Sequence, residues 1–196
     1  VESPEMADII VFNTCHIREK AAEKIYSELG KIKEIKKVNF NTKLIITGCV
    51  AQAEGKAMIK RQPIIDAVIG PQMYHKFRNV VEQLKHQKIM KLDFESNEKF
   101  KALKKKRSIF NKSAFVTIQE GCDKFCSFCV VPFTRGAEAS RKVNDIYNEI
   151  AYLVENGCKE VVLLGQNVNA YHGLNDKNKE VNLARLIYTI EKIEGL

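Results

Sequence analysis

Apolar residues fall into short unbroken runs, and between the runs they recur every three or four positions. The runs Ala7-Asp8-Ile9-Ile10-Val11-Phe12, Lys43-Leu44-Ile45-Ile46-Thr47 and Asp66-Ala67-Val68-Ile69-Gly70 have the length and character of buried strands. After the first, Ile17, Ala21, Ile25, Leu29 and Ile32 step by three and four, which lays one apolar stripe along a helix. Further helices are expected over 51–60 and 74–86, with Pro71 stopping the third strand. Strands alternating with helices predict a parallel α/β unit with right-handed crossovers.

A second unit opens at the strand-like run Ala114-Phe115-Val116-Thr117-Ile118. A helix is expected next, with Val143, Ile146, Tyr147, Ile150, Leu153 and Val154 on one face and Asn156-Gly157 as its stop. Glu160-Val161-Val162-Leu163-Leu164-Gly165 reads as a strand, and Gln166-Asn167-Val168-Asn169-Ala170 as a polar loop at its C-terminal end. Asn182 is placed to cap a last helix with Leu183, Leu186, Ile187, Ile190 and Ile193 inward. This order is the start of a barrel or a doubly wound sheet, with too few strands to close a barrel. The stretch between the units is charged and aperiodic. The expected division is therefore an N-terminal domain over 1–89, a basic linker over 90–107 and a second domain over 108–196.

Composition narrows the setting. With 45% hydrophobic residues in 196, a packed core is within reach, and no run approaches the roughly 18 apolar residues of a membrane span. The acidic, polar start Val1-Glu2-Ser3-Pro4-Glu5 is unlike a signal peptide. We expect a cytoplasmic protein, a monomer with no membrane partner, whose six cysteines are metal ligands or buried thiols rather than disulfides. The net charge of +8, from 32 basic and 24 acidic residues, leans toward a polyanionic partner. Lys99, Lys101, Lys104, Lys105, Lys106, Arg107 and Lys112 crowd one segment; a solvated linker and a nucleic-acid backbone contact both fit it. The chain has neither standard phosphate-binding glycine loop, and no convincing triad or carboxylate pair.

The densest candidate chemistry is Gly121-Cys122-Asp123-Lys124-Phe125-Cys126-Ser127-Phe128-Cys129. Its C-x-x-x-C-x-x-C spacing can wrap three thiolates around one corner of an iron–sulfur cube. A cube has four irons, so three local ligands leave one iron open, and an open position is where substrate or cofactor binds. Three of four zinc ligands is the competing reading, although short zinc motifs come as two pairs and no second pair exists here. Cys15 and Cys49 each end a predicted strand. In parallel sheets such ends share one edge, where ligands bind; two small apolar residues at strand ends is the plainer alternative. Cys158, between helix and strand, reads as structural.

The cysteine spacing and its flanks resemble the radical S-adenosylmethionine methylthiotransferases. Asn13-Thr14-Cys15-His16-Ile17-Arg18-Glu19-Lys20-Ala21, Gly48-Cys49-Val50-Ala51-Gln52 with Glu54-Gly55, and Gly70-Pro71-Gln72 are similar to their N-terminal domain. The run 121–129, with Val130-Val131-Pro132-Phe133-Thr134-Arg135-Gly136 and Ser140-Arg141, resembles their radical core. Leu164-Gly165-Gln166-Asn167-Val168-Asn169-Ala170-Tyr171 resembles the tRNA-modifying branch. Lys142 departs from a frequent proline.

The resemblance implies an α/β fold: a parallel methylthiotransferase domain lacking its first strand here, followed by the opening βα units of a radical SAM (β/α) partial barrel. It implies methylthiolation at C2 of a prenylated adenosine beside the anticodon. The cofactors would be S-adenosyl-L-methionine and two 4Fe-4S clusters. Cys122, Cys126 and Cys129 would hold one cluster, and Cys15 and Cys49 the other, its third ligand lying upstream of this chain. The implied partners are the tRNA anticodon stem-loop and an electron donor. Gly165, Gln166 and Asn167 are candidates for S-adenosylmethionine binding, and Arg135 and Arg141 for contact with the cofactor carboxylate or RNA phosphate. With a ligand and barrel strands missing, the 196-residue chain is expected to be inactive alone. Rival readings are the sister enzymes acting on a ribosomal-protein aspartate or on threonyl-carbamoyl adenosine, and a non-catalytic metal module that binds RNA.

Overall fold

The computed structural model describes residues 1–15, 19–94, 100 and 112–196, and of residues 19–22 the backbone alone. His16 and Ile17 lie outside the described residues, as do Lys99, Lys101, Lys104, Lys105, Lys106 and Arg107 of the basic segment. The chain divides into two compact units, Val1–Glu98 with Phe128–Arg135, and Lys99–Ser127 with Gly136–Leu196.

In the first unit, β1 (Ile9–Thr14), α1 (Glu19–Val38), β2 (Lys43–Gly48), α2 (Cys49–Arg61), β3 (Ala67–Ile69), α3 (Phe77–Gln83) and β4 (Ile89–Lys91) follow one another. The strands form one sheet in the order β1-β2-β3-β4, every pair parallel. The period of two along β2 sets the layers. Leu44 and Ile46 pack with Ile25, Leu29 and Ile32 of α1 and with Val50, Ala51 and Met58 of α2. Ile45 packs instead with Met73, Val80 and Leu84. A strand covered on both faces reads as an unbroken apolar run, as this one does. Tyr26 joins α1 to α2 by donating its hydroxyl to Glu54, and the Arg61 guanidinium lies 3.9 Å from the Tyr26 ring centroid.

The structure departs from the sequence expectation in three places here. The helix expected over 74–86 is a 3-10 turn, Pro71–Lys76, followed by the short α3. α1 extends past Ile32 to Val38, helped by the Glu28–Lys31 and Glu34–Lys37 pairs at 2.9 and 2.8 Å. Met90 and Lys91, read as the first linker residues, instead complete the sheet as part of β4, paired with Val68 and Ile69. Three residues flanked by charge show no usable alternation. α4 (Val131–Arg135) packs on α2 and the 3-10 turn, and Gln72 Nε2 donates to the Arg135 carbonyl at 2.9 Å.

The second unit contains β5 (Ser113–Thr117), β6 (Gln119–Glu120), β7 (Ala139–Ser140), α5 (Val143–Glu155), β8 (Glu160–Leu164), β9 (His172–Leu174), β10 (Glu180–Asn182) and α6 (Leu183–Ile190). β5 and β8 pair in parallel from Ser113↔Glu160 to Thr117↔Leu164, while β6–β7 and β9–β10 are short antiparallel ladders. Val116 and Ile118 meet Ile146, Ile150 and Leu153 of α5 and Leu186 and Ile190 of α6 in one core. Cys158 is fully buried there and donates its thiol to the Glu160 carbonyl at 3.1 Å. Asn182 caps α6 through Oδ1, which accepts from Arg185 N at 3.0 Å. Ile187, expected inward, is 44% exposed, since α6 turns that side to solvent. Among the described residues no helix is long and apolar enough to cross a membrane.

Candidate metal centre

The sheet register brings the first cysteine pair to one edge. β1 and β2 run in step to the last pair, Thr14↔Gly48, and Cys15 and Cys49 each follow by one residue. The local geometry is fixed by polar groups from the same motifs. Thr14 Oγ1 donates to the Thr47 carbonyl at 2.6 Å and accepts from Ala51 N at 3.4 Å, tying β1 to β2 and to the start of α2. Asn13 Oδ1 accepts from the Tyr74 hydroxyl at 3.1 Å. Gly48 takes φ +98°, with its backbone so close to β1 that an added Cβ would lie 2.1 Å from the Thr14 carbonyl oxygen. Cys15 is exposed and Cys49 partly so.

The three-cysteine loop has no regular structure from Gly121 to Cys126, turns at Ser127-Phe128 and enters α4 at Val131. Its first residues are held by backbone and side chains together. Gly121 has φ +85°, and an added Cβ would meet the Ala137 and Gly136 carbonyl oxygens at 2.2 and 2.5 Å. Gly121 N donates to Gln166 Oε1 at 2.7 Å, and the Gly121 carbonyl accepts from Gln119 Nε2 at 2.7 Å. Cys122 N donates to the Gly136 carbonyl at 3.3 Å, and Asp123 Oδ1 accepts from Glu138 N at 3.0 Å. Cys126 is exposed, and Cys122 and Cys129 are partly exposed. Cys122 and Cys126 fall in the second compact unit and Cys129 in the first.

All six cysteines are free thiols. Three of them on one irregular loop match an iron–sulfur cluster in donor type and supply three of its four ligands. Among the described residues, no three His, Cys, Asp or Glu side chains form a group that could hold a metal ion. The match is thus one of donor chemistry and loop position, not of a closed coordination shell.

The other candidates are placed as follows. Gly165, Gln166 and Asn167 follow β8 directly, and Asn167 N donates to Gln119 Oε1 at 3.1 Å. Gln119 packs so closely on Gly165 that an added Cβ there would lie 2.6 Å from its Oε1. The Arg141 guanidinium is turned into the second unit's core. It donates to Glu149 Oε2 and the Thr117 carbonyl at 2.7 and 2.8 Å, with both side chains under a tenth exposed. Arg135 is partly buried at the end of α4. Sequence reasoning passed over Gln119, which is fully buried. Its signal was a lone amide directly after the apolar Val116-Thr117-Ile118 and two residues before the loop glycine.

Comparison with known proteins agrees along the whole chain. Residues 1–70 match the Uncharacterized protein family UPF0004, and residues 116–194 match the Radical SAM superfamily. The tRNA-2-methylthio-N(6)-dimethylallyladenosine synthase of Roseobacter denitrificans is 52% identical over 197 residues, spanning 100% of this chain and 45% of that protein. The proteins of the same name from a Jannaschia species and from Bartonella henselae are 51% and 50% identical, with 42% and 44% of their lengths covered. The chain is similar to all three along its whole length. It spans less than half the length of these relatives. Cys15 and Cys49 lie within its UPF0004 segment, and Cys122, Cys126 and Cys129 within its radical SAM segment.

Proposed function

We propose that this chain is part of a tRNA-modifying enzyme that adds a methylthio group to C2 of a prenylated adenosine next to the anticodon. The reading rests on the roughly 50% identity to synthases of that printed name across every residue of the chain. Cys122, Cys126 and Cys129 would hold one 4Fe-4S cluster, and Cys15 and Cys49 would contribute to a second. With S-adenosyl-L-methionine bound, such a cluster supplies one-electron reductive chemistry, which is the cofactor's own. The chain's part is to hold and orient. The β1–β2 register ends at Thr14 and Gly48, so Cys15 and Cys49 both leave the sheet from the same edge. The Gly121 bonds fix where the three-cysteine loop departs from its strand. The 165–167 loop stands against that same point through Gln119 and is the candidate contact for S-adenosylmethionine. Arg135 is a candidate contact to the cofactor carboxylate or to RNA phosphate. Arg141 would serve the site through the core, given its burial against Glu149. The tRNA anticodon stem-loop and an electron donor are the proposed partners, in the cytoplasm.

Mass spectrometry of tRNA nucleosides from cells lacking the gene tests the substrate. The methylthio group on prenylated adenosine should vanish while the prenyl group remains; an unchanged nucleoside profile would overturn the reading. Anaerobic reconstitution of the full chain with iron and sulfide separates a cluster enzyme from a zinc module. A brown chromophore lost in Cys126→Ala is expected, and a colourless zinc-binding protein would count against the proposal.

A further inference from the structure

The proposed function leaves open what the pair of glutamines around Gly121 does to the cysteine that follows. Gln119 has no exposed surface, and both ends of its amide are engaged: Nε2 with the Gly121 carbonyl at 2.7 Å and Oε1 with Asn167 N at 3.1 Å. From the far side Gln166 Oε1 accepts from Gly121 N at 2.7 Å. One residue at the mouth of the cysteine loop is thus held at its N–H and its C=O, on the two peptide planes that flank its Cα, by two side chains. One comes from the end of β5–β6 and the other from the loop after β8.

We propose that Gln119 and Gln166 are positioning residues that set Cys122. They join the 165–167 loop and the cysteine loop into one rigid unit. Gly121 at φ +85° lies in the left-handed region, and a Cβ there would meet the Gly136 and Ala137 carbonyls; a glycine is needed at this point, and its wide conformational freedom leaves the chain direction to be fixed by its neighbours. The two amides fix it. Cys122 is the next residue and inherits the direction. The clamp also makes a change in the backbone of residues 165–167 felt at Cys122, because Asn167 N and Gly121 O share the single Gln119 side chain.

The inference rests on the proposed cluster ligation, and its test is chosen so that the two can fail separately. In the iron-free full chain, alkylation rates of individual cysteines are read by mass spectrometry with iodoacetamide as probe. Gln119→Glu keeps the acceptor for Asn167 N but sets a carboxylate oxygen against the Gly121 carbonyl. Gln166→Met removes the acceptor for Gly121 N, whereas Gln166→Glu retains it. Losing one of these bonds should raise the Cys122 rate about tenfold in Gln119→Glu and Gln166→Met, the scale of a broken buried hydrogen bond. Gln166→Glu should leave it near the starting value, and Cys158, fully buried, should stay protected throughout. Equal Cys122 rates in all variants would overturn the clamp. So would Cys158 rising in step with Cys122 in the exposed-site Gln166→Met, which would report general loosening. Iron uptake by the unaltered chain tests the cluster reading independently: if it takes none, the function fails while the alkylation pattern still decides the clamp.

Discussion

Gly48 and Gly30 invite the same substitution with opposite outcomes. Gly48 adopts φ +98°, ψ −164°, a region that side chains other than hydrogen scarcely enter. Forcing alanine there costs about 1–3 kcal/mol in backbone strain. The new methyl would also lie 2.1 Å from the Thr14 carbonyl oxygen and 2.7 Å from Thr14 N. Both are backbone atoms of the neighbouring strand, so neither can swing away and the ladder itself must open, adding about 1–3 kcal/mol of overpacking. The total of about 2–6 kcal/mol is a large share of the 5–15 kcal/mol typical of a domain. The transition of the first unit in calorimetry should drop by at least about 10 °C. Gly30 lies within α1 and an added Cβ meets nothing within 4 Å. Alanine there should stabilise by about 0.5–1 kcal/mol, because it removes unfolded-state freedom at a helix-interior site. Mild oxidation of the iron-free chain supplies a second readout. Cys15 and Cys49 should crosslink before Cys158 reacts, because neighbouring strands lie about 4.8 Å apart, and Gly48→Ala should suppress that crosslink. A Gly48→Ala chain that melts at or above the wild-type temperature, or crosslinks as readily, would refute the strand-end geometry argued here.

Two further outcomes follow from the second unit. Glu149→Leu leaves the buried Arg141 guanidinium without its carboxylate and should cost about 3–5 kcal/mol in urea unfolding, most of it recovered by adding Arg141→Met; a loss under about 1 kcal/mol would count against a buried pair. Burial raises the Tyr171 hydroxyl to about 12, partly offset by the nearby Arg141 charge. The unfolded chain therefore releases this proton first as the pH climbs, so stability is intact below about 10 and declines between about 10 and 12, by roughly 1–3 kcal/mol. Tyr171→Phe should flatten that alkaline decline while losing the 2.8 Å bond to the Arg141 carbonyl; an unchanged slope would show that Tyr171 is not its source.

Much of the fold was legible because burial on one or two faces leaves a periodic trace. The β2 run, the α1 stripe from Ile25 through Leu29 to Ile32, the α5 face, the Asn156-Gly157 stop and the Asn182 cap all lie where the pattern puts them. The short elements were not legible. β4, β6, β7, β9 and β10 have two or three residues each, too few for an alternation to separate a strand from a loop. Ile187 was misread because an amphipathic helix carries an occasional apolar residue on its wet side, which costs little. Arg141 illustrates a different limit. An arginine in a loop beside candidate ligands looks like an anion contact, yet its carboxylate partner sits two turns along α5, and only packing shows that Glu149 faces inward.

The two cysteine sets are positioned by different physics, and this explains their unequal legibility. Cys15 and Cys49 are placed by strand register, a property of long apolar runs; once the runs are seen, the juxtaposition at a shared edge follows from topology alone. Cys122 sits on a loop without regular hydrogen bonding, where no periodicity can act. Its direction is set by a left-handed glycine, two backbone carbonyls and two glutamine side chains. Apart from the Gln119 bond, those contacts join residues distant in sequence, and amide side chains carry no charge that would betray their partner. A register error in the sheet would flip alternate side chains and be resisted by the whole core. A loosened Gly121 costs only a few hydrogen bonds. The three-cysteine loop is therefore the part of the proposed chemistry most exposed to single substitutions. Those substitutions should concentrate at residues, such as Gln119, that would touch neither metal nor nucleic acid.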